Sequence, residues 1–428
     1  MKSHPTDKEI YFWNITGSFL NALLSVMLLL FVNRILGVKN GDIFSVGFAI
    51  AQLMLTVGTY QVRLYQATDI RSKYTFNVYF WFRLFTLFMM IVVSLIYIFL
   101  RNYDSYTYFI ILSLCIFRAG DAFSDVYQGL YQQKDRLDLS GKSIAFKVMA
   151  SMTTFVLSMI FFKNLLVSCL TLMMTEWIMV YLYDIRTYRT FKKKYEIEEI
   201  KKVPPYKEMK ELFLICTPLF LNVFLINDIF NTPKFQIDTY ISNGTMTAGS
   251  QTYYSIIFMI AFVMNLIVFV FRPILTQLSS LFYHRQLKEI LKKISMILLV
   301  IIASTLACMI GAYFIGIPVL SILYGTGDGL LPYRDALLII IVAGGINAFS
   351  TFLDNVITIF RKHYFLLLCY MGSWLTMKSI APGLVAKFGV NGAALSFLIT
   401  MLTQFILILS LFMILFYRIW RKKHDKQL

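Results

Sequence analysis

The chain has 428 residues, of which 58% are apolar and 15% charged, against about 45–50% and about 25% in an ordinary soluble domain. So little polar surface excludes a water-soluble globule of this size, and twelve apolar runs at short intervals leave no room for a sizeable extramembrane enzyme domain. The net charge of +17, from 40 Lys and Arg against 23 Asp and Glu, would suggest nucleic acid in a soluble chain, but here its placement follows membrane topology and no nucleic-acid partner is expected.

In chain order the expected spans are Phe12–Leu36, Ile43–Ala67, Val78–Leu100, Tyr106–Leu130, Ser143–Phe162 and Leu165–Tyr183. Six more follow: Leu212–Phe230, Gln251–Phe271, Ser295–Leu320, Ala336–Phe360, Tyr364–Ala386 and Gly392–Tyr417. Each is of the length that crosses a bilayer as helix. The N-terminal run is too long for a cleaved signal core and is expected to stay as the first span. Between spans six and seven lies the longest polar stretch, Arg186–Lys210, which reads as a basic cytoplasmic linker. The expected organisation is therefore an N-terminal six-helix bundle over 1–185, the linker over 186–210 and a C-terminal six-helix bundle over 211–428. A second basic segment, Phe282–Ile294, has Phe282, Leu287, Ile290, Leu291 and Ile294 on one helical face and fits a short interfacial helix.

Alternating loops give a clear orientation. The side that holds both termini carries 27 Lys and Arg, the opposite loops carry 5 (Lys39, Arg101, Lys163, Arg334 and Lys387), and 8 lie in or near the spans. Cytoplasmic loops are the basic ones, so both termini are expected in the cytoplasm and the span number is even. Two echoes relate the halves: Phe19-Leu20-Asn21 recurs as Phe220-Leu221-Asn222, and Asp125–Arg136 has a weaker counterpart in Asp354–Phe365. Both pair span n with span n+6, as in transporters built from parallel repeats.

Charges inside spans carry the functional information, because an ionised side chain at mid-bilayer costs about 2.5–3.5 kcal/mol on insertion scales and normally faces a partner or a wet cavity. The basic set is Arg34, Arg63, Arg83, Arg118, Lys147, Lys234, Arg272 and Lys378; the acidic set includes Asp121, Asp125, Glu176, Asp184, Asp228, Asp238 and Asp354. Arg118, Asp121 and Asp125 share a helix face at spacings of three and four. Arg63, Arg83 and Arg272 lie close enough to span ends to snorkel. In span seven, Asn227, Asp228, Asn231, Thr232, Pro233, Lys234 and Asp238 interrupt an apolar run, which predicts a helix broken at Pro233 beside a wet cavity. An interior richer in Arg and Lys favours an anion, above all phosphate or diphosphate.

Enzyme signals are absent from the sequence: His4, His284, His363 and His424 have no metal-like spacing, and no Walker A, GxSxG or HExxH pattern occurs. Tyr324–Gly329 is Gly-rich but reads as a turn. The five cysteines sit singly in apolar runs as filler.

The segments NITGSFLNALLSVMLLLFVNRILG in span one, RAGDAFSDVYQGLYQQKDRLDLSGKS at the exit of span four, NTPKFQID over Asn231–Asp238 and FRPILTQLS from Phe271 together resemble the capsule and O-antigen polysaccharide flippases of the multidrug/oligosaccharidyl-lipid/polysaccharide exporter superfamily. The resemblance covers nearly the whole chain. It implies an all-α polytopic membrane protein, two six-helix bundles around a central cavity that opens alternately to either side. The implied substrate is an undecaprenyl-diphosphate-linked oligosaccharide, moved from the cytoplasmic to the outer leaflet of a bacterial plasma membrane, with membrane lipids and other polysaccharide-assembly membrane proteins as partners. Carried onto this sequence, Arg34, Arg118, Lys147, Lys234 and Arg272 become diphosphate-binding candidates. Asp121, Asp125, Glu176 and Asp228 become ion-coupling candidates. The resemblance implies no cofactor or metal, only a proton or sodium gradient or the membrane potential. Alternatives of the same superfamily are a multidrug cation antiporter, which would prefer acids and aromatics at its site, and a lipid-linked peptidoglycan-precursor flippase, which resembles a fourteen-span rather than a twelve-span chain.

Overall fold

A computed structural model describes residues 5–69, 73–270, 272–284, 286–360 and 362–424. Among the described residues fifteen α-helices run in order: α1 (Asp7–Leu36), α2 (Val38–Thr59), α3 (Val62–Thr68), α4 (Phe76–Leu100), α5 (Ser105–Gln133), α6 (Leu137–Phe162), α7 (Leu165–Met179), α8 (Arg186–Lys194), α9 (Tyr206–Ser242), α10 (Ser250–Val270), α11 (Arg272–Tyr283), α12 (Leu287–Gly311), α13 (Ile317–Tyr324), α14 (Arg334–Ile359) and α15 (Leu366–His424). Short π turns, Val180–Ile185 and Ala312–Gly316, join α7 to α8 and α12 to α13 without a break. No strand occurs among the described residues.

Nine helical stretches among the described residues are long and apolar enough to cross a membrane. Three further crossings complete the expected twelve. α5 has 29 residues, but Arg118, Asp121 and Asp125 dilute its apolar character, and α10 has 21. α15 has 59 residues, about 88 Å of helix where a bilayer core takes about 30 Å, and it divides at Gly389, whose φ of 56° and ψ of −130° are not helical. The chain is thus an all-α, multi-pass membrane protein.

Local signals set the helix ends. Thr6 caps α1 by accepting from the Glu9 amide, with Asp7 and Glu9 in the first turn, and Gly37 closes it at φ 82°. Asp104 caps α5 by accepting from the Tyr106 and Thr107 amides at 3.0 and 3.2 Å. Within each unit the most buried helices are central: the apolar windows of α2 and of the stretch ending in α14 are 83% and 72% buried, against 17% for the stretch from α12 to α13. Where α1 meets α6 the backbones nearly touch, since a Cβ on Gly17 would lie 2.5 Å from the Gly141 carbonyl oxygen. Small residues permit such approach between membrane helices, where dispersion rather than hydrophobicity drives packing.

The chain divides into two compact units, Met1–Asn227 and Asp228–Leu428. The division falls within α9 because the first turns of that helix belong to the N-terminal unit. Leu212 and Cys216 lie in one buried cluster with Tyr60, Tyr74, Tyr79, Tyr131 and Phe191. Tyr60 stacks on Phe220 with ring centroids 4.4 Å apart, and its hydroxyl lies 2.9 Å from Thr217 Oγ1. The linker is likewise tied down: Lys201 donates its amide to Asn77 Oδ1 at 2.8 Å, and its carbonyl accepts from Trp81 Nε1 at 2.9 Å. Its first residues form α8, which buries Tyr188 and Phe191.

Three sequence expectations are corrected. The segment Phe282–Ile294 is not a separate interfacial helix: α11 ends at Tyr283, and α12 begins at Leu287 with Leu287, Ile290 and Ile294 buried. Span seven is not broken at Pro233, because α9 runs unbroken from Tyr206 to Ser242. Beside the proline, Thr232 Oγ1 donates to the Asp228 carbonyl at 2.8 Å. Arg83 does not snorkel; its side chain is 1% exposed.

Candidate functional site

The N-terminal unit holds its charges in a buried cluster across α5, α6, α7 and the π turn. Lys147 of α6 is at its centre, with Nζ 3.0 Å from Glu176 Oε1, 3.7 Å from Asp121 Oδ1 and 3.9 Å from Asp184 Oδ2. Lys147 also donates to Ser124 Oγ at 2.6 Å; Ser143 Oγ donates to Asp184 at 2.5 Å, Ser124 Oγ donates to Asp184, and Ser151 Oγ donates to Glu176 at 3.2 Å. Arg118 meets Asp121 at 2.6 Å and lies over the Phe48 ring at 4.6 Å. Two backbone features make this possible. The π turn carries Asp184 into the cluster, in keeping with the frequency of π bulges at functional sites. Gly120 leaves room for Glu176, since a Cβ there would stand 2.7 Å from Glu176 Cγ.

The cluster has three carboxylates and two cations. With every group ionised it holds one uncompensated negative charge in a water-poor interior, where an unpaired charge is costly. A bound proton or small cation would balance it.

Nearer the end of α5, Asp125 sits in a separate arrangement. Arg83 Nη2 meets Asp125 Oδ2 at 2.6 Å and Arg83 Nη1 donates to the Gly58 carbonyl. Arg63 lies 3.5 Å from Asp125 and donates to Gln128, Gln132 and Ser140 at 2.6, 3.2 and 3.1 Å. This lattice joins α2 through α6 and binds Asp125 in place.

In the C-terminal unit, α9 presents two faces. Asp228 and Thr232, one turn apart, meet the first part of α15: Lys378 Nζ is 2.7 Å from Asp228 Oδ2 and donates to Thr232 Oγ1 at 2.9 Å, while Trp374 Nε1 donates to Asp228 at 2.5 Å. Phe230 and Lys234 point to the other side. Lys234 Nζ stands 5.1 Å from the centroid of Phe258 on α10, and Phe230, Phe258 and Phe397 pack edge to face on one another. Among the described residues Lys234 has no carboxylate partner.

Of the expected anion-binding residues, Arg118 and Lys147 are therefore compensated where they stand. Lys234 is not. Arg34 is exposed in the last turn of α1, and the Arg272 side chain lies outside the described residues. Of the expected coupling acids, Asp121 and Glu176 join the cluster with surplus negative charge, whereas Asp125 and Asp228 each bind a cation. Asp184 was visible in the sequence only as an acid at the end of a span.

No known family model matches the chain, and no curated protein does. Solved structures do. The lipid II flippase MurJ in an inward closed conformation is similar with a TM-score of 0.68 at 12% identity, over 96% of this chain and 90% of that one. An inward-facing multidrug resistance MATE family transporter of the MOP superfamily gives 0.65 at 11% identity, over 96% and 99%. A MOP superfamily transporter from Pyrococcus furiosus, with a binding pocket of reverse polarity, gives 0.55 at 10% identity, over 96% and 95%. The chain therefore has the fold of the MOP superfamily transporters.

Proposed function

We propose that the chain is a flippase that moves an undecaprenyl-diphosphate-linked oligosaccharide from the cytoplasmic to the outer leaflet of a bacterial plasma membrane, for cell-surface polysaccharide assembly. The fold supports a transporter. The observation that carries the anionic substrate is Lys234, an ammonium inside the C-terminal unit with an aromatic face beside it and no carboxylate partner among the described residues. A cation exporter needs the reverse at its substrate site. Arg34 remains a further candidate for the diphosphate, at the membrane end of α1.

Energy enters through the N-terminal unit in this reading. The surplus carboxylate among Asp121, Glu176 and Asp184 takes up a proton or sodium ion, and the occupancy of that position differs between the two sides of the membrane. Asp125 and Asp228, each bound to a basic side chain, serve as structural counter-charges.

The test is depletion of the protein from its source cells, followed by extraction of lipid-linked oligosaccharides and assay of the leaflet that exposes them. Complete repeat units accumulating on the cytoplasmic face, with surface polysaccharide lost, are expected. Unchanged pools and unchanged polysaccharide, together with a loss of resistance to cationic dyes, would replace this reading with the multidrug exporter.

A further inference from the structure

One exposed face of the N-terminal unit changes character along a single helix. The stretch Leu165–Lys194, made of α7, the π turn and α8, is continuous over 30 residues. That is about 45 Å of helix, whereas the hydrocarbon core takes about 30 Å and the headgroup layers bring a bilayer to about 40–45 Å. Because α7 and the π turn, 15 and 6 residues long, already fill the core, α8 falls at headgroup depth.

The stretch keeps one side buried throughout, through Glu176, Val180, Asp184, Tyr188 and Phe191. On the other side Met174, Ile178 and Tyr181 are 58%, 56% and 51% exposed, large apolar side chains that acyl chains cover at this depth. That side continues onto α8 as Arg186, Arg189 and Lys193, which stand at i, i+3 and i+7 on one face and are all exposed. None of the three has a carboxylate partner among the described residues, and α8 itself, RTYRTFKKK, contains no acid. Lys192, off this face, differs in being held by Glu199 at 2.8 Å. The Arg186 guanidinium lies 6.0 Å from the centroid of the Tyr181 ring, where the apolar part of the face gives way to the basic part.

Charge and depth together select the partner. A guanidinium meets a phosphate with two parallel hydrogen bonds, and the phosphates found at the edge of a lipid-covered surface are those of the lipids themselves. A zwitterionic headgroup brings its own ammonium, which three neighbouring cations repel. An anionic headgroup brings only the attraction, which draws basic segments at the membrane edge to an acidic leaflet.

We propose that Arg186, Arg189 and Lys193 form a docking surface for the phosphate of an anionic phospholipid, whose acyl chains lie along Met174, Ile178 and Tyr181. The inference goes beyond the flippase reading and needs only the membrane fold. Its consequence is structural: the lipid fastens the end of the helix that carries Glu176 and Asp184 into the buried cluster, so the protein is more stable in an anionic bilayer than in a neutral one.

The full-length protein in mixed micelles of detergent and phosphatidylcholine, titrated with phosphatidylglycerol, tests it. Phosphatidylglycerol should raise the thermal unfolding midpoint saturably at low salt, and about 0.5 M sodium chloride should shrink the rise by screening. The double variant Arg186→Gln/Arg189→Gln should need about twenty-five-fold more phosphatidylglycerol for the same rise, about five-fold for each basic residue removed. Without phosphatidylglycerol it should unfold with the parent, because both side chains are exposed; earlier unfolding would make them structural and overturn the surface. Lys288→Gln/Lys292→Gln removes two exposed charges from the start of α12 and should keep the parent's response. An equal loss in that control would mean that net charge, not α8, governs the response, and would also overturn the proposal. No rise with phosphatidylglycerol ends it, and a rise with undecaprenyl diphosphate alone would give the surface to the cargo instead. The leaflet assay in depleted cells judges the flippase reading separately.

Discussion

The two units handle the same difficulty, charge inside a membrane, in opposite ways. In the N-terminal unit Lys147 and Arg118 face Asp121, Glu176 and Asp184, so the deep cluster has one carboxylate too many. In the C-terminal unit Asp228 and Lys378 cancel and Lys234 is left over. In the proposed reading the N-terminal cluster takes up a cation and Lys234 meets an anion. The difference also separates roles that the sequence could not: a basic residue in a span is as often a counter-charge as a ligand, and only its partners tell which.

The comparison breaks most sharply at Lys147. Replacing it by Met strands the buried carboxylates of Glu176 and Asp184, and removing one partner of a buried ion pair costs about 3–5 kcal/mol. The expected result is a protein that accumulates poorly in the membrane or unfolds far earlier in detergent. Adding Glu176→Gln to that variant should recover part of the loss. If Lys147→Met alone left the unfolding midpoint unchanged, the cluster would not be the electrostatic unit described.

A smaller effect is expected at Gly120. Its Cβ would meet Glu176 Cγ at 2.7 Å, and crowding of this kind in a packed interior costs about 1–3 kcal/mol. Gly120→Ala should lower the unfolding midpoint and reduce transport together. Asp228→Asn should cost less than Lys147→Met, because the released Lys378 side chain is 38% exposed and reaches polar surroundings; a midpoint drop as large as that of Lys147→Met would contradict the assignment.

Glu176→Gln alone sharpens the comparison functionally. It leaves Arg118, Lys147, Asp121 and Asp184 in charge balance, so the fold should hold while transport loses its dependence on an imposed proton or sodium gradient, measured in proteoliposomes. The smallest effect is expected at Arg34, exposed at the end of α1. Arg34→Ala should change stability by less than about 0.5 kcal/mol, so any loss of transport there would report on substrate.

Hydropathy alone located the helical segments of membrane-spanning length, because the bilayer forces every span to be both apolar and helical. Ends were less legible where helices outrun the membrane: span six continues through a π turn into α8, and its apolar run gave no hint that Asp184 would turn inward. Pro233 misled in the opposite direction. A proline among polar residues reads as a break, but α9 passes through Pro233 as one helix from Tyr206 to Ser242. At the site, the i, i+3 spacing announced the Arg118–Asp121 pair, since both partners lie on one helix. The partners of Lys147 and of Asp228 come from other helices, and no spacing within a sequence encodes those meetings.

The central claim, an anionic cargo moved by a chain with a cation-seeking N-terminal unit, is tested most directly in proteoliposomes that contain the purified protein and are offered two cargoes in parallel, an undecaprenyl-diphosphate-linked oligosaccharide and ethidium. The account predicts that the oligosaccharide lipid crosses between leaflets faster than in protein-free vesicles and that ethidium does not. Gradient-driven movement of ethidium with no movement of the lipid-linked sugar would contradict it.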